Sequence, residues 1–142
     1  MHSNLPARRS VYRLFALLLA VLLPACAAVD DSKKNITFDK ASRYYENALR
    51  WGNYEAAALI RRRPDGSAAT VNPAALKHIK VTAYEVTGSE LSPDHSTIRQ
   101  DVLIHYYNQD HMTEHTVIDH QTWQYDPDLK TWFLTSPLPA FR

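Results

Sequence analysis

The run DVLIHYYNQDHMTEHTVIDHQTWQY, Asp101–Tyr125, decides the fold. Its two halves are rich in β-branched and aromatic residues, and the polar stretch between them, near Asn108–His111, carries turn chemistry. In the first half the even positions hold Val102, Ile104 and Tyr106, continuing Ile98 upstream. In the second the odd positions hold Val117, Trp123 and Tyr125. Alternation with period two is the pattern of a strand with one buried face. The halves therefore pair as an antiparallel hairpin in which even residues meet odd ones, and only a loop of even length, such as two residues, gives that register. It sends His115 and Asp119 inward and His105 and His120 outward.

The same run contains H-x-x-E-H, His111 to His115, the inverted zinc-protease motif. That motif holds a metal only on a helix, where residues four apart stack on one face. On a strand, His111 and His115 stand about 13 Å apart, and zinc–nitrogen bonds of about 2 Å do not span that gap. His115 and His120 fall on opposite faces in any register. No metal and no cofactor is expected. His115 and Asp119 remain as candidates for proton chemistry, an Asp-oriented His being a familiar general base. They too are about 13 Å apart along one strand, so each needs a partner from another element: Tyr45, Tyr84, Tyr106 or Arg43. The ligand-pocket candidates are Tyr45, Tyr84, Tyr106, His115, Asp119 and Trp123, with no catalytic residue assigned. Buried polar groups of this kind serve equally well to satisfy one another.

Working outward, strand texture covers about 79–88, 97–108, 112–125 and 130–135. The connections are SELSPDHS, the turn near Asn108–His111, and Asp126-Pro127-Asp128. Such short links make a meander of hairpins. Trp123, Tyr125, Trp132 and Phe133 alternate around the last hairpin as sheet core and edge rather than as a carbohydrate platform. Upstream, Thr37 is a helix cap, and Phe38, Ala41, Tyr45, Ala48 and Leu49 follow at helical spacing. Gly52-Asn53 breaks this helix, Tyr54 to Arg62 forms a second, and Asn72-Pro73 opens a short third. The Arg61-Arg62-Arg63 run reads as cations placed at a helix C-terminus. Helices first and strands afterwards make an α+β domain: two N-terminal helices plus a short third, packed on a bent four-stranded antiparallel sheet.

The phrase ALRWGNYEAAALI, followed by a meander ending WQYDPDLKTWFLTS, resembles small nuclear-transport-factor-2-like domains over about residues 37–136. That resemblance implies a cone whose helices pack into the concave side of the sheet. Proteins of that fold include isomerases, dehydratases, cyclases and binding modules, so fold alone does not choose a function.

The N-terminus gives an address. Arg8, Arg9 and Arg13 precede the apolar run LFALLLAVLL, Leu14 to Leu23, which is about 15 Å of helix against a bilayer core of about 30 Å. This is the pattern of a cleaved signal peptide, residues 1–25. Leu23-Pro24-Ala25-Cys26 resembles the bacterial lipobox, with Pro24 as a departure. The resemblance implies lipidation of Cys26, the chain's lone cysteine. Residues 26–36 form a polar lipidated tether, and 37–142 a single domain. Ala27 after the cysteine favours the outer over the inner membrane, by resemblance to lipoprotein sorting. Removing Arg8, Arg9 and Arg13 with the leader leaves 13 basic against 15 acidic residues, a net −2, which lacks the basic footprint of a nucleic-acid binder. Three glycines and no G-x-S-x-G exclude a phosphate loop and a serine-hydrolase elbow.

The expectation is a membrane-anchored periplasmic lipoprotein acting as a non-catalytic binding or envelope-interaction module. Its partners would be the membrane through the lipid, and an envelope protein or small apolar ligand; a dimer is compatible with the sequence. The alternatives are an isomerase- or hydratase-type pocket enzyme using His115 or Asp119, and a purely structural envelope protein.

Overall fold

Four strands, β1 (Ile79–Leu91), β2 (Thr97–Asn108), β3 (Thr113–Asp126) and β4 (Thr131–Leu134), form one antiparallel sheet in the order β1-β2-β3-β4. This is seen in a computed structural model that describes the backbone of residues 23–142 and side chains from Val29 onward. The leader lies almost wholly outside the described residues, and so does the side chain of Cys26. The hairpin parity holds: Val102 faces Asp119, Ile104 faces Val117 and Tyr106 faces His115. The loop is even, but it has four residues, 109–112, not two. Asn108 shapes it, its side chain accepting from the Asp110 amide at 2.9 Å and its carbonyl from the Met112 amide at 2.8 Å. β1 is longer than expected and carries register shifts at Val81/Ala83 and Val86/Gly88, each of which kinks a strand locally.

Among the described residues three helices precede the sheet: α1 (Leu23–Arg50), α2 (Tyr54–Leu59) and α3 (Pro73–Leu76). Ala41, Tyr45, Ala48 and Leu49 form the buried stripe of α1, at the spacing of one helical face. They pack with Ile98, Val102, Ile104, Trp123 and Trp132 from the sheet. Phe38 sets its ring edge-on to Trp123 at 5.6 Å and to Trp132 at 5.4 Å, and Tyr45 sits edge-on to Trp123 at 5.9 Å. Aromatic pairs prefer this geometry because positive ring edges meet negative faces. The protein is thus α+β, and residues 34–142 make one compact unit. Among the described residues, no helix is long and apolar enough to cross a membrane.

Two helix boundaries differ from the sequence reading. Residues 26–36, expected as a tether, are helical, and Thr37 is not a cap: its hydroxyl donates to the Lys34 carbonyl one turn back. AAVDDSKKN has no Gly or Pro and suits a helix well enough; its missing apolar period argues against burial, not against helix. Helix α2 ends at Leu59 instead of Arg62. Leu134 of β4 donates to the Ile60 carbonyl and accepts from the Arg62 amide, so strand pairing takes those backbone groups from the helix.

Candidate functional site

Parity sets His115, Val117, Asp119, Gln121 and Trp123 in a row on the inner face, and three of them are linked. Trp123 Nε1–H donates to Gln121 Oε1 at 3.0 Å, which fixes the orientation of the amide. The Gln121 nitrogen then donates to Asp119 Oδ2 at 2.7 Å and to the Tyr84 hydroxyl at 2.8 Å. Asp119 is 5% exposed. Burial pushes its carboxyl from 3.8 up to about 6, against the opposing pull of the Gln121 hydrogen bond and the charges of His120 and Arg61. Burial also raises Tyr84, even with the Gln121 bond lowering it. Tyr45 is wholly buried and raised first by burial, then by the charges of Asp119 and Tyr84. The Tyr45 hydroxyl and Gln100 Oε1 have no hydrogen-bond partner among the described residues.

His115 belongs to a different group. Its ring stacks on Tyr106 at 5.4 Å and 24°. Phe141 approaches Tyr106 edge-on at 4.9 Å, and the Arg142 amide donates to the Tyr106 hydroxyl at 3.0 Å. The segment after β4 therefore closes over that end of the inner face. Arg61 holds its start, with Nε and Nη2 each donating to the Ser136 carbonyl at 3.1 Å. Five of the six ligand-pocket candidates lie on the inner face of the sheet and Tyr45 packs on it from α1; they split in two, Asp119 with Tyr84, Trp123 and Tyr45, and His115 with Tyr106. Arg43, considered as a partner for the inward pair, bonds Asp39 on the exposed side of α1 instead. Sequence reasoning overlooked Gln121, the hub. Its signal was available, since a glutamine at an inward parity position must be hydrogen-bonded by neighbours.

The outward histidines have polar neighbours on their own face. His120 Nδ1 lies 2.6 Å from Asp101, His78 Nδ1 2.5 Å from Asp110, and His105 Nδ1 3.2 Å from the Thr116 hydroxyl. The H-x-x-E-H motif is broken by the turn: His111 lies in it, Glu114 faces outward toward His105, and His115 faces inward. Among the described residues no three metal-ligating side chains gather. The arginine run starts directly after the C-cap of α2, Ile60, and Arg62 Nη1 donates to the Leu59 carbonyl at 3.0 Å, the helix-end placement expected. Arg62 lies over Phe133 at 3.9 Å and Arg63 donates to Thr70 at 2.9 Å. Lys34 similarly covers Tyr125 at 5.2 Å. Cations thus occupy the ring faces that a sugar would stack on.

The most exposed aromatic surface lies elsewhere. Helix α1 closes with the amide of Gly52 bonded to the Leu49 carbonyl and that of Asn53 to the Ala48 carbonyl. This is a Schellman ending with Gly52 at φ +68°, and it makes Trp51 the capping residue. Asn53 at once caps α2 by accepting from the Ala56 amide at 3.0 Å. The tight junction leaves a groove lined by Tyr44, Asn47, Ala48, Trp51, Asn53 and Ala56. Trp51 is 83% exposed there and Tyr44 46%. Compared with protein families, curated proteins and solved structures, the chain matches none.

Proposed function

We propose that this chain is a lipid-anchored protein of the bacterial envelope, tethered through Cys26 on the periplasmic side, with the outer membrane favoured. In this reading its domain, a nuclear-transport-factor-2-like cone, acts by binding an envelope protein rather than by catalysis. The observation that carries the binding reading is the Trp51 groove. An indole left almost fully in water forgoes the burial available to its two counterparts, and exposed aromatics of this kind serve as anchors at protein interfaces. The lipid anchor rests on the leader and on Leu23-Pro24-Ala25-Cys26. The cone rests on the order of helices and strands and on the two bulges of β1.

Catalysis would need an opening to Asp119. Burial raises the carboxyl to about 6, and the Tyr84 phenol shares the Gln121 amide with it, yet the face around it is filled by Tyr45, Val102 and Trp123, all at 0% exposure. A substrate would have to displace core side chains, so the acid/base reading ranks second.

Two experiments test the proposal. A photoreactive residue at Asn47, in the groove wall, should give one discrete protein adduct in the native envelope, and Trp51→Ala should remove it. An adduct unaffected by Trp51→Ala counts against the groove. Cys26→Ser should move the protein out of the detergent phase; unchanged partitioning would sink the lipid anchor.

A further inference from the structure

A cleft of about 300 Å³ lies between the segment after α2 and the β3–β4 turn. That is the lower end of the range for small-ligand sites, about 300–1,000 Å³. The segment contributes Arg62 and Arg63, the turn Asp126 and Asp128, and the strands Tyr125 and Phe133. The chain holds each charged group in place. After α2 the backbone folds back on itself, Arg62 bridging to Ala68 and the Gly66 amide donating to the Arg63 carbonyl at 2.8 Å. The Arg62 amide ties this segment to Leu134 of β4 at 3.0 Å. Arg62 Nη1 donates to the Leu59 and Arg61 carbonyls, both at 3.0 Å, and Arg63 donates to the hydroxyls of Thr70 at 2.9 Å and Ser67 at 3.4 Å. In the opposing turn Asp126 Oδ1 accepts from the amides of Asp128 and Leu129, each at 2.9 Å.

Opposite charges lining one cleft attract each other, yet these four do not close on one another. Among the described residues Arg62, Arg63, Asp126 and Asp128 make no ion pair. Asp65, the acid nearest Arg63 in sequence, accepts from the Ser67 amide at 2.9 Å instead. Among the described residues Arg62 Nε and Nη2, Asp126 Oδ2 and the Asp128 carboxylate also have no hydrogen-bond partner. We propose that this cleft binds a small zwitterion, its anionic end on Arg62 and Arg63 and its ammonium on Asp126 and Asp128. A guanidinium takes carboxylate or phosphate oxygens through two parallel N–H bonds, and the three protons of an ammonium suit a pair of acceptor-only carboxylates. A lone anion meets the aspartates as well as the arginines, and a lone cation meets the reverse. The lining therefore works against single charges and favours a molecule that carries both. The cleft shares no lining residue with the Trp51 groove, so the inference stands apart from that reading.

The test titrates the intact chain, followed by nuclear magnetic resonance, with two zwitterions: glycylglycine, which ends in a carboxylate, and O-phosphoethanolamine, which carries the phosphate of a lipid headgroup. The amides of Gln124 and Thr135, in the cleft lining, should shift to saturation with at least one of them. The amides of Asn47 and Ala56, in the Trp51 groove, should stay still. Whichever zwitterion binds more tightly identifies the anionic end as carboxylate or phosphate. Acetate, inorganic phosphate and methylammonium, which lack one of the two charges, should bind about tenfold more weakly or worse. Arg63→Gln and Asp128→Asn, both at exposed positions, should each weaken the preferred zwitterion about tenfold, the size of a lost hydrogen bond between charged groups. No saturable shift with either zwitterion overturns the inference. So does a single-charge probe that binds as tightly as the zwitterions, or a zwitterion affinity that Asp128→Asn leaves unchanged.

Discussion

Trp123, packed against the buried stripe of α1, and Trp51, at the C-terminal cap of that helix, teach different things. Trp123 is wholly buried, takes the ring edges of Phe38 and Tyr45, and spends its N–H on Gln121. Every property of the side chain is used inside the molecule. Trp51 caps α1 at a glycine-dependent bend and is left 83% in water beside Tyr44. The inner face of the sheet, where a pocket was expected, is a core with a buried polar network. The outer corner of the helices, which carried no expected role, holds the open aromatic surface.

The largest effect expected from breaking this contrast is at Trp123. Trp123→Ala empties the contact of two aromatic rings and strips Gln121 of its donor, and it should cost about 3–5 kcal/mol in a denaturant titration. Next comes Asp119. Its folded pKa is raised, so between about 4 and 6 the folded state holds more protons than the unfolded one, and stability falls as pH rises through that window. Asp119→Asn should therefore stabilise by about 2–3 kcal/mol at pH 7 and by almost nothing at pH 4. Equal effects at both pH values would show that desolvation of the charge is not what the site contends with. Gly52→Ala should cost about 1–2 kcal/mol, because a side chain at φ +68° is strained even though its Cβ would meet only the Lys80 ammonium, in ordinary contact at 3.7 Å. Trp51→Ala should change stability by less than about 0.5 kcal/mol, since nothing buried depends on it. A loss as large as that at Trp123 would make Trp51 part of the core and end the contrast.

The hairpin was legible because its two halves alternate with opposite parity, and the even–odd register, the inward His115 and Asp119 and the outward His105 and His120 all follow from that one feature. Helix α1's buried stripe was legible from Ala41, Tyr45, Ala48 and Leu49 for the same reason. What failed was what depends on contacts distant in sequence. The end of α2 is set by Leu134, more than seventy residues on. The closing of the His115 end depends on Phe141 and Arg142, which carry no periodic signal. Trp51 and Tyr44 lie off the buried stripe of α1, and that offset was a readable clue to an exposed aromatic surface.

Oxidative footprinting of the three tryptophans tests the central claim most directly, with the isolated chain compared to the same chain in its native envelope. The account predicts that Trp51 is oxidised fast in isolation and becomes protected in the envelope, while Trp123 and Trp132 stay slow in both. Equal oxidation of Trp51 in the two settings, or Trp123 reacting as fast as Trp51, would contradict it.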